Sequence, residues 1–493
     1  MIKAIFAKIR EDLKEDIKFR NERLWILGMC YMATTISIII SFFVEQFFYL
    51  NGIVAITSII LLATIYKKMS IALSYILYLL PFSMVLKIPN LSFGFYPIIV
   101  AVSIFGFGVE WIIQVVKKKR KIQILTILPT SIYILYLFTL FIINNYSFLN
   151  FVTLTMGALF LFVVIEFMKD IDIKEIFCSF ILGILISCLI GIFYKHYPNL
   201  RGFYNITNAL GVIRFSALFP NTNAFTMNVL MAIGMVLVLY LKRDLKILVY
   251  PVLLLLLIIS FETLSKMTYI VLILLLIALF VVKLISDKKF KISKFTYIPL
   301  ILTIFLSCLI QINNCVLITK RLAMPFSEDQ VEINIESAEV DENLQNGEIS
   351  TNTNGVLNNF TTGRVDLWKR CINEIATNTR NMFFGVQSGR DVYVIETVEG
   401  SPHNTFLQAI YASGVLGLIL LASILSCYLV HFRKNFDFRG VVLLVAIAGC
   451  FCSLDAFSYI GFIMVSMIMI SLNKTESASQ ETIKEGEKEN GDT

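Results

Sequence analysis

Charge is scarce in this sequence. Asp, Glu, Lys and Arg supply 16% of its 493 residues, apolar side chains supply 57%, and the mean hydropathy is +0.78. So few charged groups cannot cover a soluble globular domain, which excludes that class. Histidine is scarcer still, with three copies. The nine cysteines make no CxxC pair and no Cys/His metal spacing, and seven of them fall inside apolar blocks. Cys315 and Cys371 alone lie in a polar segment, where a disulfide stands open against two free thiols. There is no Walker sequence, no HExxH and no DxD-type carboxylate pair in an external loop, which argues against an ATP-driven pump and against metal-assisted chemistry on a soluble activated sugar. Neither a metal nor a cofactor is expected. No repeat stands out at a fixed period. No cleavable signal is visible, because the apolar run from Leu24 starts too late and lacks a small-residue cleavage site.

What the chain has instead is a series of apolar blocks of 17 or more residues. Each is about long enough to cross a ~30 Å hydrocarbon core as a helix, which pairs its backbone N–H and C=O groups internally, as irregular backbone facing lipid cannot. Fourteen spans are expected, centred near residues 34, 56, 78, 104, 133, 158, 185, 232, 254, 276, 304, 417, 446 and 463. Residues 440–472 form two short spans broken near Asp455, and a re-entrant hairpin would read the same. The fold expected is thus an all-α polytopic integral membrane protein with about fourteen transmembrane helices and a large, partly helical extracytoplasmic loop.

The net charge of +7 points to a membrane surface rather than to nucleic acid once its distribution is considered. Assigned to alternate sides, the Lys and Arg residues divide 30 against 12. The richer side holds the N-terminal segment, Lys67-Lys68, Lys117–Lys121, the Lys169/Lys174 loop, Lys242–Lys246, Lys283–Lys294, Arg433–Arg439 and the tail, which predicts both termini inside. Residues 1–23 place Ile5, Ile9, Leu13 and Ile17 at i,i+4 opposite basic side chains, as in an interfacial helix on an anionic leaflet; a simple positive anchor fits the same pattern. Residues 24–312 then hold eleven spans and an external loop, 195–221. The large outer loop is 313–403, three spans occupy 404–472, and 473–493 is a polar, disordered cytoplasmic tail. Within the loop, 327–360 reads as a flexible insertion, since 327–350 carries eight acidic residues and no Lys or Arg. A helix is predicted from Arg364 to about Asn378, started by Thr361/Thr362 and striped by Val365, Leu367/Trp368, Cys371/Ile372 and Ile375.

The groups fit for chemistry gather in the external segments. Arg214 leads through Phe219-Pro220-Asn221-Thr222-Asn223 into the eighth span, so a guanidinium and two amides meet a helix start, where free N–H groups and the dipole favour anions. An asparagine cap with an interfacial arginine is the plainer reading. Lys266 follows Ser265 at the edge of the tenth span, where a lysine commonly snorkels. Arg364 sits in Thr-Gly-Arg at a helix start, and its planar fork suits paired phosphate oxygens; Trp368 follows one turn later. His403 lies between Pro402 and Asn404, a natural cap. Its imidazole either takes a proton from a hydroxyl near neutral pH or serves as a polar boundary residue. Three cations and one imidazole on one face suggest a site that holds a pyrophosphate and moves a proton.

At these residues the chain resembles the bacterial O-antigen polymerase and ligase superfamily, which includes the Wzy-type polymerases. The resemblance rests on Arg214 with Phe219–Asn223, Ser265-Lys266, Thr362-Gly363-Arg364-Val365-Asp366-Leu367-Trp368, Phe384-Gly385-Val386, and His403-Asn404-x-Phe406-Leu407-Gln408 ending in Gly414-Val415-Leu416-Gly417. It covers roughly residues 200–425. It implies metal-independent, inverting glycosyl transfer at the outer face of the bacterial cytoplasmic membrane, from an undecaprenyl-pyrophosphate-linked glycan to the hydroxyl of a second lipid-linked repeat. Surface polysaccharide, O-antigen or capsule, is the implied product, and a flippase and a chain-length regulator are the implied protein partners. Arg214 and Arg364 would hold the pyrophosphate and His403 would meet the hydroxyl, with Lys266, Asn221, Asn223, Asn404 and Trp368 lining the site. Family members often carry Arg where this chain has Lys266, whose ammonium lacks the bidentate grip. A ligase differs only in its acceptor. A flippase for the same lipid would instead place charge near the membrane midplane and show paired halves.

Overall fold

The computed structural model describes residues 2–17, 24–43, 48–66, 68–83, 85–86, 94–143, 148–196, 214–219, 222–286, 297–323, 364–386, 394–395, 398–399, 404–452 and 458–474. Helices dominate them. In chain order these are α1 (Ile2–Ile17), α2 (Leu24–Phe43), α3 (Phe48–Tyr66), α4 (Met69–Leu79), α5 (Phe95–Val116), α6 (Ile124–Ile143), α7 (Phe148–Glu166), α8 (Ile173–His196) and α9 (Thr222–Lys242). There follow α10 (Val249–Glu262), α11 (Lys266–Ser286), α12 (Tyr297–Ile310), α13 (Ile312–Ala323), α14 (Arg364–Ala376), α15 (Thr379–Phe384), α16 (Thr405–Phe432), α17 (Val441–Phe451) and α18 (Tyr459–Leu472). The described strands are two residues long and pair Val394–Ile395 antiparallel with Val398–Glu399.

Each of the fourteen predicted centres falls within a helix. Six helices are long and apolar enough to cross a membrane, and a seventh crossing arises if α12 and α13, bent by 78° at their junction, count as one. Seven others, α2, α3, α4, α10, α11, α17 and α18, are shorter apolar helices. Side chains such as Phe105, Leu135 and Phe280 project from the flanks with 76%, 65% and 61% of their surface open. Apolar flanks of that kind, in a bundle with helices long enough to cross a bilayer, suit a lipid environment. The chain is a multi-pass, all-α membrane protein.

Helix α9 lies at the centre, apolar on every side and buried over nearly its whole length. It packs on α8, α10, α11 and α17. Gly234 lets α17 approach closely, since a Cβ there would lie 3.1 Å from Ala446 and Leu443. Helix α4 is buried likewise against α8.

The loops predicted to share the basic side meet at one end of the bundle. Lys242 pairs with Asp437 at 3.3 Å and donates to the Asn473 carbonyl at 2.9 Å. Arg439 grips Asp437 through both Nε and Nη2, at 2.8 and 2.9 Å, and reaches the Leu241 carbonyl at 3.2 Å. Burial alone would raise the Asp437 carboxyl, but the Arg439 hydrogen bonds and the Lys242 charge outweigh it and hold it below the usual range. Glu166 accepts from Trp111 at 2.9 Å and Thr126 at 2.7 Å, with Arg120 beside it at 3.7 Å.

Three features add to the sequence reading, and the free thiols settle the alternative it left open. The outer loop expected from 313 opens with a helix, α13, turned sharply out of α12; Gln311 at the bend donates to Glu262 at 2.8 Å and accepts from Asn314 at 2.6 Å. The loop helix ends at Ala376, and a second short helix, α15, follows under an Asn378 cap that accepts from Asn381 N at 2.7 Å. Cys315 and Cys371 are free thiols: Cys371 is buried against Ile375, Val386 and Tyr411, while Cys315 sits on α13 near the Cys308 carbonyl. The expected break near Asp455, the acidic insertion 327–360 and most of the 473–493 tail lie outside the described residues.

Candidate functional site

The end opposite the ion-paired one gathers most of the described candidates. Residues Arg214–Phe219 form an irregular segment before α9, anchored by Phe215 and Phe219, whose rings each lie 5.6 Å from that of Phe225. The segment turns through a left-handed Ala217 (φ 47°), pressed so close to α8 that a Cβ on Gly191 would come within 2.6 Å of the Ala217 Cα. Its backbone joins the α10–α11 turn where Phe215 N donates to the Glu262 carbonyl at 3.1 Å.

That turn is braced in its own right. The Thr263 hydroxyl donates to the Ser260 carbonyl at 2.7 Å, Thr268 donates to the same carbonyl at 3.2 Å, and Leu264 takes a left-handed φ of 50°. The Thr263 carbonyl therefore points at Arg214, whose Nε donates to it at 3.0 Å while Nη2 donates to Asn223 Oδ1 at 3.2 Å. Ser265 Oγ also donates to Asn223 Oδ1, at 3.1 Å. Arg214, Asn223 and Ser265 are thus one hydrogen-bonded cluster, and Lys266 is the first residue of α11 beside it. Two helices, α9 and α11, begin here, and each turns the positive end of its dipole to this end of the bundle. A guanidinium held by a carbonyl and an amide oxygen has a fixed plane, and those contacts carry no formal charge. The arrangement suits an anion with several oxygens, such as a pyrophosphate.

The second group is built on α14–α16. Asn404 caps α16, its Oδ1 accepting from Phe406 N at 3.1 Å and Leu407 N at 3.0 Å, and its Nδ2 reaches the Cys452 carbonyl at 3.5 Å. Cys452 ends α17, which packs on both α9 and α11, with Gly449 against Val271 and Leu274. The start of α16 accordingly lies at the same end of the bundle as Arg214. Helix α14 opens at Arg364 and packs against the first turns of α16 through Cys371, Ile375, Tyr411 and Val386. Tyr411 donates to Glu374 at 2.9 Å, and Trp368 is half-buried on α14. Asn221 and His403 lie outside the described residues, and of Arg364 only the backbone is described.

Three residues with no sequence signal of their own hold this second group together. Gly414 breaks α16 with φ 64° and ψ −179°, and a Cβ there would come within 2.2 Å of the Phe383 carbonyl, so α15 is seated in the break. Gly385 (φ 83°) makes the reciprocal approach, and Val386 N donates to the Tyr411 carbonyl at 2.9 Å. Tyr136, on α6, donates to the Ser413 carbonyl at 2.6 Å and ties the break to the membrane helices. The two glycines were legible only as members of short motifs. Among the described residues no three His, Cys, Asp or Glu side chains gather as a metal-ligand set. No family model, curated protein or solved structure matches the chain.

Proposed function

We propose that the protein is a surface-polysaccharide polymerase of the cytoplasmic membrane, crossing it fourteen times with both termini inside. It transfers an undecaprenyl-pyrophosphate-linked glycan to the hydroxyl of another lipid-linked repeat unit at the outer face. The observation that supports this best is the Arg214 cluster. Its guanidinium is oriented by Thr263 and Asn223 at the joint start of two helices, on the end away from the ion-paired loops. Lipid-linked pyrophosphate would meet fixed positive charge there, where a membrane-embedded donor presents its headgroup.

The chemistry matches those residue types. The acceptor oxygen bonds to the anomeric carbon from the face opposite the leaving group, the bond from that carbon to the pyrophosphate oxygen breaks, and the hydroxyl proton passes to a base. Polyprenyl pyrophosphate departs as an already good leaving group, so the carboxylic acid that a glycosidase needs for a poor one is dispensable. Arg214 and Arg364 neutralise the charge that develops on the pyrophosphate. His403 receives the proton near neutrality. Lys266, Asn223 and Asn221 border the donor side, and Asn404 and Trp368 the acceptor side.

Purified protein added to lipid-linked repeat units in the presence of EDTA is expected to yield a ladder of glycans differing by one repeat. Arg364→Ala and His403→Ala are expected to abolish it. Movement of the lipid across liposomes without lengthening would assign the protein to flipping, and transfer only to a non-repeat acceptor would assign it to ligation.

A further inference from the structure

Helix α1 carries three side-chain pairs spaced i,i+4, each lying along one line of the helix. Asp12 and Asp16, flanked by Glu15, form one; Ile9 and Leu13 form the next; Arg10 and Lys14 form the third. At about 100° per residue these lines succeed one another around the helix as acidic, apolar and basic.

The acidic line faces the protein. Asp16 is 2% exposed, and its carboxylate accepts from three successive backbone N–H groups, Lys246 and Ile247 at 2.7 Å and Leu248 at 2.9 Å, just before α10 begins. It satisfies donors that a helix start leaves open and meets the positive end of the dipole. Lys246 Nζ reaches Asp12 at 3.4 Å and also contacts Glu15, whose carboxylate raises the lysine above its ordinary range. Lys174 Nζ donates to the Glu15 carbonyl at 2.8 Å. These contacts fix the rotation of α1 about its own axis. They leave Ile9 42% exposed and Arg10 and Lys14 on the open side, at the ends of helices that cross the bilayer.

We infer that α1 is a binding element for anionic phospholipid. Ile9 and Leu13 enter the boundary between acyl chains and headgroups, while Arg10 and Lys14 bind the phosphates of acidic headgroups around the bundle. Charge complementarity selects this occupant: Asp12, Glu15 and Asp16 are engaged by Lys246 and the Lys246–Leu248 amides, so the exposed edge carries Lys8, Arg10 and Lys14 against Glu11 and is cationic in net charge, with an apolar strip beside it. The same sequence read as a plain topology anchor requires no fixed rotation and no dependence on lipid charge. The inference is independent of the glycosyl-transfer reading.

Hydrogen exchange of the full-length chain tests it, in nanodiscs of phosphatidylcholine alone and of phosphatidylcholine mixed with phosphatidylglycerol. Amides of Ile2–Ile17 are expected to exchange roughly tenfold or more slowly in the anionic discs, since each cation near such a surface strengthens binding by roughly fivefold. The protection is expected to shrink in high salt. Arg10→Glu with Lys14→Glu should erase the difference while α9 exchanges as in the wild type. Equal α1 exchange in the two lipids would overturn the inference, as would a charge-reversed protein that keeps its anionic-lipid protection. Asp16→Asn should expose α1 in both lipids; wild-type protection in that variant would show that the docked rotation is wrong.

Discussion

The two ends of the bundle use arginine and lysine in opposite ways. At the basic end, Lys242, Arg439 and Asp437 are locked in mutual pairs, and Arg120 is held against Glu166. At the other, Arg214 is held by the Thr263 carbonyl and the Asn223 amide oxygen. A carboxylate partner neutralises a cation, whereas a carbonyl or amide oxygen orients it without neutralising it. On the proposed function, the contrast separates charges that hold helices together from charges that bind the donor pyrophosphate.

The largest effect expected from breaking that contrast is structural. Asp437→Ala strands the buried Lys242, and loss of one partner of a buried pair costs ~3–5 kcal/mol. Thermal unfolding in detergent should show a large fall in midpoint, with turnover per folded molecule kept. Arg214→Ala is expected to do the reverse, leaving the midpoint near wild type while lowering turnover by about 100- to 1000-fold, the usual cost of a preorganised contact to developing negative charge. Arg214→Lys should recover only part of it, because an ammonium cannot reach Thr263 and Asn223 with one plane.

A smaller effect sharpens the contrast through pH. Burial raises the Asp244 carboxyl to about 6, with Lys242 pulling the other way. The folded chain therefore binds that proton more tightly than the unfolded chain does. The ionised group weakens the fold above about pH 6, and the burden fades as pH falls toward the unfolded value near 4. Asp244→Asn should raise the midpoint at about pH 7.5 by the equivalent of ~1–2 kcal/mol, and the gain should disappear by about pH 4. Asn404→Ala should have the smallest effect: loss of its cap on α16 costs about 1 kcal/mol. Exchange of the Phe406 and Leu407 amides should report it.

Local chemistry was legible in the sequence and distant chemistry was not. Asn404 was readable as a cap because its partners, Phe406 N and Leu407 N, lie within three residues. The apolar stripe of α14 was readable because Val365, Cys371 and Ile375 recur at helical spacing, and the fourteen apolar blocks because each forms its own helix. The clasp of Arg214 by Thr263 spans 49 positions and depends on how α9 and α10 pack, which no local pattern encodes. The break at Gly414 has the same origin, since it admits the Phe383 carbonyl from α15, the helix before it, through packing that no local pattern encodes. Helix α13 was hidden because its amphipathic residues follow α12 directly across a 78° bend and are too polar to read as a span.

The most direct test of the two-ended account is the repeat-unit ladder made by purified Arg214→Ala and Asp437→Ala proteins, each normalised to its folded fraction. The account predicts a ladder about 100-fold or more weaker from the first and a wild-type ladder from the second; ladders of equal strength from both would contradict it.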